Sequence, residues 1–286
     1  MKPARPKVCV VMPAYNAART IEKTYRDIPR DSVDDIIVVD DVSRDDTVAT
    51  AARLGLPVIV HRQNRGYGGN QKTCYLEAMM RGADVVVMLH PDYQYDSTKI
   101  PAMIEPILRG EADVVFGSRF LSPGGALAGG MPLWRFVANR FLTTTENIAF
   151  GLRLSECHTG FRAYSRKFLL TIPFLLNSDD FVFDTEVIAQ AAHFGFKIDE
   201  VAVPTRYFAE ASSVPFRRAV VYGLSTLGVV GRYLLHRCRL RNDRIFSAEL
   251  SQILSPTHQK ALRNEPVLES GPSDGAQGSE ELVQFR

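Results

Sequence analysis

The first 117 residues alternate short apolar runs with segments of helical periodicity, and this alternation limits the possible folds most strongly. The apolar runs are predicted strands at 8–12, 36–40, 58–61, 85–90 and 113–117, and the segments between them are predicted helices at 17–28, 45–54, 71–81 and 97–109. Strands separated by helices of this length form βαβ units. The pattern therefore predicts an α/β fold, a Rossmann-like and mainly parallel sheet with helices on both faces. Ligands of such sheets bind at the carboxyl ends of the strands.

The pattern changes after the fifth predicted strand. Residues 122–131 are rich in glycine and predict a mobile loop. A helix is predicted at 133–150, strands at 161–164 and 197–203, and a helix at 184–194 between them. We expect one domain over residues 1–213, a C-terminal amphipathic helix over 214–241 and a disordered tail over 242–286, where apolar periodicity is lost.

Charge and cysteine content exclude several classes of function. The chain has 34 basic and 32 acidic side chains, and a net charge of +2 gives no overall field for binding nucleic acid. The four cysteines are far apart and form no C-x-x-C pair, which indicates free thiols in a reducing compartment.

We expect neither a signal peptide at residues 1–7 nor a membrane-spanning helix. A cytoplasmic protein is predicted.

Polar residues follow the first two predicted strands. The first strand leads into Pro13, Tyr15 and Asn16, and the second ends in Asp40 and Asp41. Two carboxylates at a strand end can accept hydrogen bonds from a base or a ribose. Capping of the next helix by neighbouring residues is the alternative, but it does not explain the pair of aspartates.

The third predicted strand leads into a glycine-rich segment at 63–72, where glycines permit close approach to a ligand. The segment lacks the spacing of a P-loop. The G-x-G-x-x-G fingerprint is also missing after the first strand, which counts against a dinucleotide-dependent oxidoreductase.

The fourth predicted strand ends in three potential metal ligands spaced two apart, His90, Asp92 and Gln94. In an extended segment, alternate residues lie on one face, so these three could bind one divalent cation, Mg²⁺ or Mn²⁺. The alternative is a strand end that merely turns at Pro91.

Seven segments in order resemble the inverting family 2 glycosyltransferases of GT-A fold, and among them the polyprenol-phosphate and dolichyl-phosphate sugar transferases. They are VVMPAYN at 10–16, VVDDVSRDDT at 38–47, NRGYGG at 64–69, HPDYQ at 90–94, GSRF at 117–120, TGFRAYSR at 159–166 and the stretch at 181–207. The resemblance covers about residues 8–235.

The resemblance implies a set of roles. Nucleotide binding falls to Pro13, Tyr15, Asn16, Val39, Asp40, Asp41, Gly66, Lys72 and Pro91. The metal motif is His90, Asp92 and Gln94, the phosphate-binding residues are Arg119 and Arg206, and the catalytic candidates are Asp92, Arg119, Asp180 and Asp184. Asp180 could equally cap the helix that follows it.

The implied reaction moves a sugar with inversion from a UDP- or GDP-sugar to a polyprenyl phosphate, which needs no strong general base. Transfer to a hydroxyl of a glycan, glycolipid or small molecule is the alternative within enzymes, and a nucleotide-sugar-binding protein without turnover is the alternative outside them. Two departures bear on this choice. His90 stands where the family's metal motif usually begins with aspartate, and residues 209–213 lack the family's Gly-x-Ser-Lys segment.

Residues 214–241 contain six arginines and no acid. Arg218, Ser225, Arg232 and Arg239 are spaced by sevens and would share one helix face. A basic amphipathic helix of this kind suits an anionic membrane surface, which predicts a peripheral protein on the cytoplasmic face. A helix packed on the domain with its arginines in water is the alternative.

Overall fold

The computed structural model describes residues 5–121, 125–206, 216–254, 258–259 and 262. Its centre is a seven-stranded sheet in the order β3-β2-β1-β4-β6-β5-β7. The strands are β1 (Val8–Ala14), β2 (Asp35–Asp40), β3 (Val58–Val60), β4 (Val85–Met88), β5 (Val114–Ser118), β6 (Arg162–Ser165) and β7 (Ile198–Ala202). β6 is antiparallel to β4 and β5, and the other pairings are parallel.

The helices of the described residues follow the strands in chain order. They are α1 (Ile21–Arg26), α2 (Thr47–Arg53), α3 (Gly66–Met80), α4 (Ile100–Leu108), α5 (Gly125–Ala128), α6 (Leu133–Phe150), α7 (Arg166–Thr171), α8 (Phe183–His193), α9 (Phe216–Arg237) and α10 (Arg244–Ser247). They cover both faces of the sheet, and each face has its own apolar core. Double coverage explains why β1 is buried at every position, since a strand between two layers of helices needs apolar side chains on both sides.

The predicted fold class is confirmed, and the differences from prediction have local causes. α3 begins at Gly66, five residues before the predicted start, so part of the glycine-rich segment is helical. β4 ends at Met88, so residues 90–94 are not extended, and Tyr93 has a φ of 60°. Part of the glycine-rich stretch at 122–131 forms α5, and residues 122–124 and 209–213 lie outside the described residues.

The segment after Asn242 differs from the expected disordered tail over residues 243–254. α10 begins directly after Asp243, and Ile245, Phe246 and Leu250 are almost fully buried in the core. The serine- and glycine-rich stretch that suggested disorder lies further on, at 269–280, outside the described residues. In the described part of the chain, no helix has the length and hydropathy needed to cross a membrane.

The predicted basic helix exists as α9, but its arginines do not share one environment. Arg232 forms ion pairs of 2.8 Å with Glu186 of α8 and with Asp243. Arg239 lies beyond the end of α9 and has a left-handed φ of 59°. Arg218 lines a cleft. At Arg232, therefore, α9 fits the alternative interpretation, in which the helix packs on the domain.

Candidate active site

A cleft of about 950 Å³ opens at the carboxyl ends of β1, β2 and β4. The residues that follow β1 line it, as predicted for Pro13, Tyr15 and Asn16. Tyr15 is 52% exposed, so its ring is available to a ligand. Asn16 has a φ of 52° and accepts a hydrogen bond of 2.8 Å from the backbone N–H of Arg44. This contact joins the loop after β1 to the loop after β2 and shapes one end of the cleft.

The two aspartates at the end of β2 differ in surroundings. Asp41 lines the cleft, and its carboxylate accepts hydrogen bonds from the backbone N–H groups of Arg65 (2.7 Å) and Gly66 (3.0 Å). His61 Nδ1 lies 2.8 Å from the same carboxylate. Asp40 is buried behind the cleft lining with Val39, and its Oδ2 accepts from the backbone N–H of Ser43. Asp41 thus holds the start of α3.

Gly68 and Gly69, in the first turn of α3, contact protein rather than an open ligand site. The N–H of Gly68 donates a hydrogen bond of 2.7 Å to the carbonyl of Asp179, and a Cβ on Gly68 would lie 2.3 Å from the carbonyl oxygen of Ser178. Lys72 is buried, and its Nζ donates to the carbonyl of Asn177 and to Asp179. Gly66 lines the cleft, whereas Lys72 is outside its lining. The contacts of Gly68 and Lys72 with residues 177–179 fix the segment that carries Asp180.

Asp184 and Asp180 both line the cleft but are held differently. The Asp184 carboxylate accepts from the Tyr67 hydroxyl at 2.8 Å and from Gln71 Nε2 at 3.3 Å, and it lies 3.4 Å from the fully buried Arg162. Burial, together with the charge of Asp184, raises the pKa of Tyr67 well above its usual value, so the phenol remains a donor. Asp180 is exposed and accepts from the backbone N–H of Phe181 at 2.7 Å. Its side chain does not cap α8, whose N-cap residue is Val182 and which has no side-chain cap hydrogen bond.

The predicted metal motif lies within the same cleft. His90, Asp92 and Gln94 all line it, with Pro91 between them, although a turn rather than an extended strand brings them there. Tyr67 stacks on His90, and its hydroxyl is 3.2 Å from His90 Nε2. Burial lowers the pKa of His90, although the negative charge of Asp92 acts in the opposite direction. Burial also raises the pKa of the Asp92 carboxyl.

This donor set fits a divalent cation in part. A neutral imidazole, a carboxylate and an amide are ligands that Mn²⁺ and Mg²⁺ accept, and a cation would offset the desolvation of Asp92. Within the described residues, no group of three His, Cys, Asp or Glu side chains converges on one point. A cation bound at Asp92 and His90 would therefore take its remaining ligands from substrate phosphates and water.

The two predicted phosphate-binding arginines have protein partners. Arg119 lines the cleft, and its Nε donates a hydrogen bond of 2.8 Å to the fully buried Glu156. Arg206 is outside the cleft lining, with its guanidinium 4.6 Å from the centre of the Tyr93 ring and 3.9 Å from Asp27. The structure thus brings most predicted site residues to one cleft, but leaves Val39, Asp40, Lys72 and Arg206 outside its lining.

Several residues of the cleft were missed by the sequence analysis. Arg44, Tyr67, Arg135, His158 and Tyr222 line it, and Arg162 and Glu156 support it from within the core. Arg44 and Tyr67 lie inside the segments 38–47 and 64–69, and their position next to predicted strand ends is a signal that indicates a place in the cleft. Arg135, His158 and Tyr222 come from distant elements, and no spacing in the sequence links them to the cleft.

Solved structures share this architecture. Glucosyl-3-phosphoglycerate synthase from Mycobacterium tuberculosis, crystallised with Mn²⁺, UDP and glucosyl-3-phosphoglycerate, superposes with a TM-score of 0.59 at 20% identity over 84% of this chain and 82% of that one. The fold is that of the GT-A glycosyltransferases. Because the sequence also matches glycosyltransferase family 2 over residues 9–172, the protein is a glycosyltransferase that uses a nucleotide-sugar.

Sequence comparison gives the family. The model named Glycosyl transferase family 2 matches residues 9–172, more than half of the chain, and the chain belongs to this family. Among its relatives, UDP-N-acetylglucosamine–dolichyl-phosphate N-acetylglucosaminyltransferase of Methanococcus voltae is 27% identical over 70% of this chain and 86% of its own length. Polyprenol monophosphomannose synthase of Mycolicibacterium smegmatis is 27% identical over 69% of this chain and 76% of its own.

Proposed function

We propose that this glycosyltransferase transfers the sugar of a UDP- or GDP-sugar to a polyprenyl phosphate, with inversion, at a membrane surface. The supporting observation is an exposed apolar surface on α6 and α9, two helices that also line the cleft. It comprises Leu133, Val137 and Phe141 of α6 and Val220, Val221 and Leu224 of α9, each at least 46% exposed. A water-soluble acceptor gives no reason for such a surface beside the active site, whereas a prenyl chain does.

The relatives agree with this acceptor. The names of two relatives specify dolichyl phosphate or a polyprenol monophosphate as the molecule that receives the sugar. They match this chain over about 70% of its length, and the family match over residues 9–172 includes the predicted nucleotide and metal motifs. A polyprenyl phosphate acceptor is therefore part of the proposal for this chain, and the proposal does not specify the sugar.

The donor would occupy the end of the cleft formed by the strand ends. Pro13, Tyr15 and Asn16 would contact the nucleotide, because they follow β1 and line the cleft. Asp92 and His90 would hold Mg²⁺ or Mn²⁺ against the diphosphate. The cation would supply positive charge to the departing nucleoside diphosphate. A hydrogen bond fixes the orientation of the Asp92 carboxylate, because its Oδ1 accepts from the backbone N–H of Gln94 at 3.1 Å.

The acceptor side fits an anionic nucleophile. A phosphate oxygen attacks the anomeric carbon without first losing a proton, whereas a sugar hydroxyl needs a general base. Asp184 is poorly suited as a base, because Tyr67, Gln71 and Arg162 already engage its carboxylate. Its role is then to hold Tyr67 against His90 and to balance the charge of the buried Arg162.

A transfer assay tests the proposal directly. The purified chain is incubated with Mn²⁺, a labelled UDP- or GDP-sugar and vesicles that contain a polyprenyl phosphate. We expect butanol-soluble label that is released by mild acid, and none from Asp92→Asn protein prepared in parallel. Label found only in water-soluble glycan or small-molecule products across the donor panel would overturn the acceptor assignment.

Asp180 distinguishes the two acceptor classes. If the nucleophile is a phosphate, Asp180→Asn should keep turnover within about threefold, because the asparagine can still accept from the N–H of Phe181. If a hydroxyl is activated by Asp180, the loss should be about 10²–10⁴-fold. Steady-state rates at saturating donor, with Asp184→Asn as a comparison variant, give the measurement.

A further inference from the structure

A second cavity of about 440 Å³ lies between the segment at 178–182 and α9. It shares Asp180, Phe181, Arg218 and Tyr222 with the lining of the main cleft, so the two cavities meet at these residues. Its remaining lining includes Val182 and Val221. Cationic and apolar groups side by side suit a ligand with an anionic head and an apolar chain.

Arg218 and Tyr222 stand one helical turn apart on α9, so both side chains face the junction of the two cavities. Arg218 is exposed and makes no hydrogen bond or ion pair with the described residues. Arg119, by contrast, is bonded to Glu156. Arg218 is therefore the better placed guanidinium to receive a second anion in addition to the donor.

Tyr222 is held in place from behind. Its hydroxyl lies 2.8 Å from Nδ1 of His158, and Nε2 of His158 lies 3.0 Å from the fully buried carboxylate of Glu146 on α6. Burial raises the pKa of the Tyr222 phenol, so the phenol keeps its proton. That single proton can be donated to a ligand when Nδ1–H of His158 donates to the Tyr222 oxygen. The contact with His158, which itself faces the buried Glu146 carboxylate, holds the phenol at the cavity, so little side-chain freedom is lost when a ligand binds.

We infer that Arg218 and Tyr222 bind the phosphate group of the acceptor at this junction, with His158 and Glu146 as positioning residues. The inference rests on the proposed function and specifies its acceptor subsite. A guanidinium and a phenol supply charge-assisted and neutral hydrogen bonds to phosphate oxygens. The apolar wall of the second cavity would receive the first part of the prenyl chain.

The test uses a short-chain, water-soluble prenyl phosphate, so that membrane binding does not enter the result. Arg218→Gln and Tyr222→Phe should each raise the KM for this acceptor about tenfold, with the KM for the donor and the affinity for its nucleoside diphosphate, UDP or GDP, within twofold of the parent. Arg218→Lys should recover part of the loss. His158→Gln should raise the acceptor KM in the same direction. Arg237→Gln is the matched control, because it removes the same charge from the same helix about 28 Å away.

Each outcome bears on the subsite. Equal acceptor KM values for Arg218→Gln and Arg237→Gln would overturn the inference, as would a donor KM that rises as much as the acceptor KM. Calorimetric binding of the donor's nucleoside diphosphate, UDP or GDP, shows that each variant is folded and competent. If the parent enzyme uses hydroxyl acceptors and no prenyl phosphate, the proposed function itself fails, and that result is distinct from unchanged KM values in an active enzyme.

Discussion

Asp41 and Asp92 are both aspartates that follow strands and line the same cleft, yet their surroundings give them opposite roles. Asp41 receives two backbone N–H groups and His61, so its charge is satisfied by the protein. Asp92 receives one backbone N–H, and desolvation raises the pKa of its carboxyl. The partners of Asp41 lie 20 to 25 residues away in the sequence, which is why the pattern of residues alone could not separate the two.

We expect Asp92→Asn to reduce turnover about 100-fold or more without reducing stability, because it removes a group that stabilises the leaving diphosphate and is itself poorly solvated. Since the folded-state pKa of Asp92 is raised, the ionised carboxylate disfavours folding. The stability of the parent relative to Asp92→Asn should therefore be greatest in acid and should fall as pH rises through the titration of this carboxyl. Urea unfolding from pH 4 to pH 8 checks the sign, and a lower stability of the variant at pH 7 would contradict it.

At the scale of elements, α3 shows what its own sequence can and cannot predict. Three glycines within four residues indicate a loop, and the predicted helix accordingly began at Gln71. The structure starts the helix at Gly66, because Asp41 accepts from its first N–H groups and the carbonyl of Asp179 accepts from the next. Both partners come from other segments. The glycines are needed for the close approach of residues 178–179.

Gly68→Ala should therefore lower stability by about 1–3 kcal/mol, since the added methyl group would clash with the carbonyl of Ser178 and with Phe183. Turnover should fall with it, because the displaced segment carries Asp180. Gly228→Ala on α9 is the matched control. No atom lies within 4 Å of a Cβ at that position, and the change should gain up to about 1 kcal/mol from helix propensity. Equal melting temperatures for the two variants would disprove the close contact.

The segment after α9 also belongs to the folded domain. A chain that ends at Arg241 should lose several kcal/mol of stability, because it lacks Phe246 and Leu250 of the core and the partner of Arg232 at Asp243. We expect its melting temperature to fall by about 10 °C or more. A chain that ends at Leu262 keeps this segment and is the matched comparison, so it should melt at a clearly higher temperature than the chain that ends at Arg241. Equal melting of both shortened chains would refute the role of the segment.

For the molecule as a whole, the sheet and the position of the cleft could be predicted, because each buried parallel strand is a local apolar run and strand ends collect at one edge. A strand at 161–164 could be predicted as well, but its position between β4 and β5 and its antiparallel direction depend on how the chain returns and have no local signal. The same holds for the pairing of Arg119 with Glu156 and of Arg232 with Glu186. The sequence locates charged side chains on elements, whereas their partners are decided by packing between elements.

The exposed apolar side chains of α6 and α9 form the surface that would place the cleft at a bilayer. Substitutions on this surface can change membrane binding without changing residues of the site. Phe141 and Leu224 are 61% and 65% exposed. The double variant Phe141→Asp, Leu224→Asp should bind vesicles with anionic lipids at least tenfold more weakly, since each buried side chain contributes about 1.5–3 kcal/mol. Turnover of a long-chain acceptor in vesicles should fall, and turnover of a short soluble one should persist. Leu108→Asp on α4, an exposed leucine outside this surface, should bind vesicles like the parent. Equal flotation of all three proteins would show that the surface does not contact the membrane.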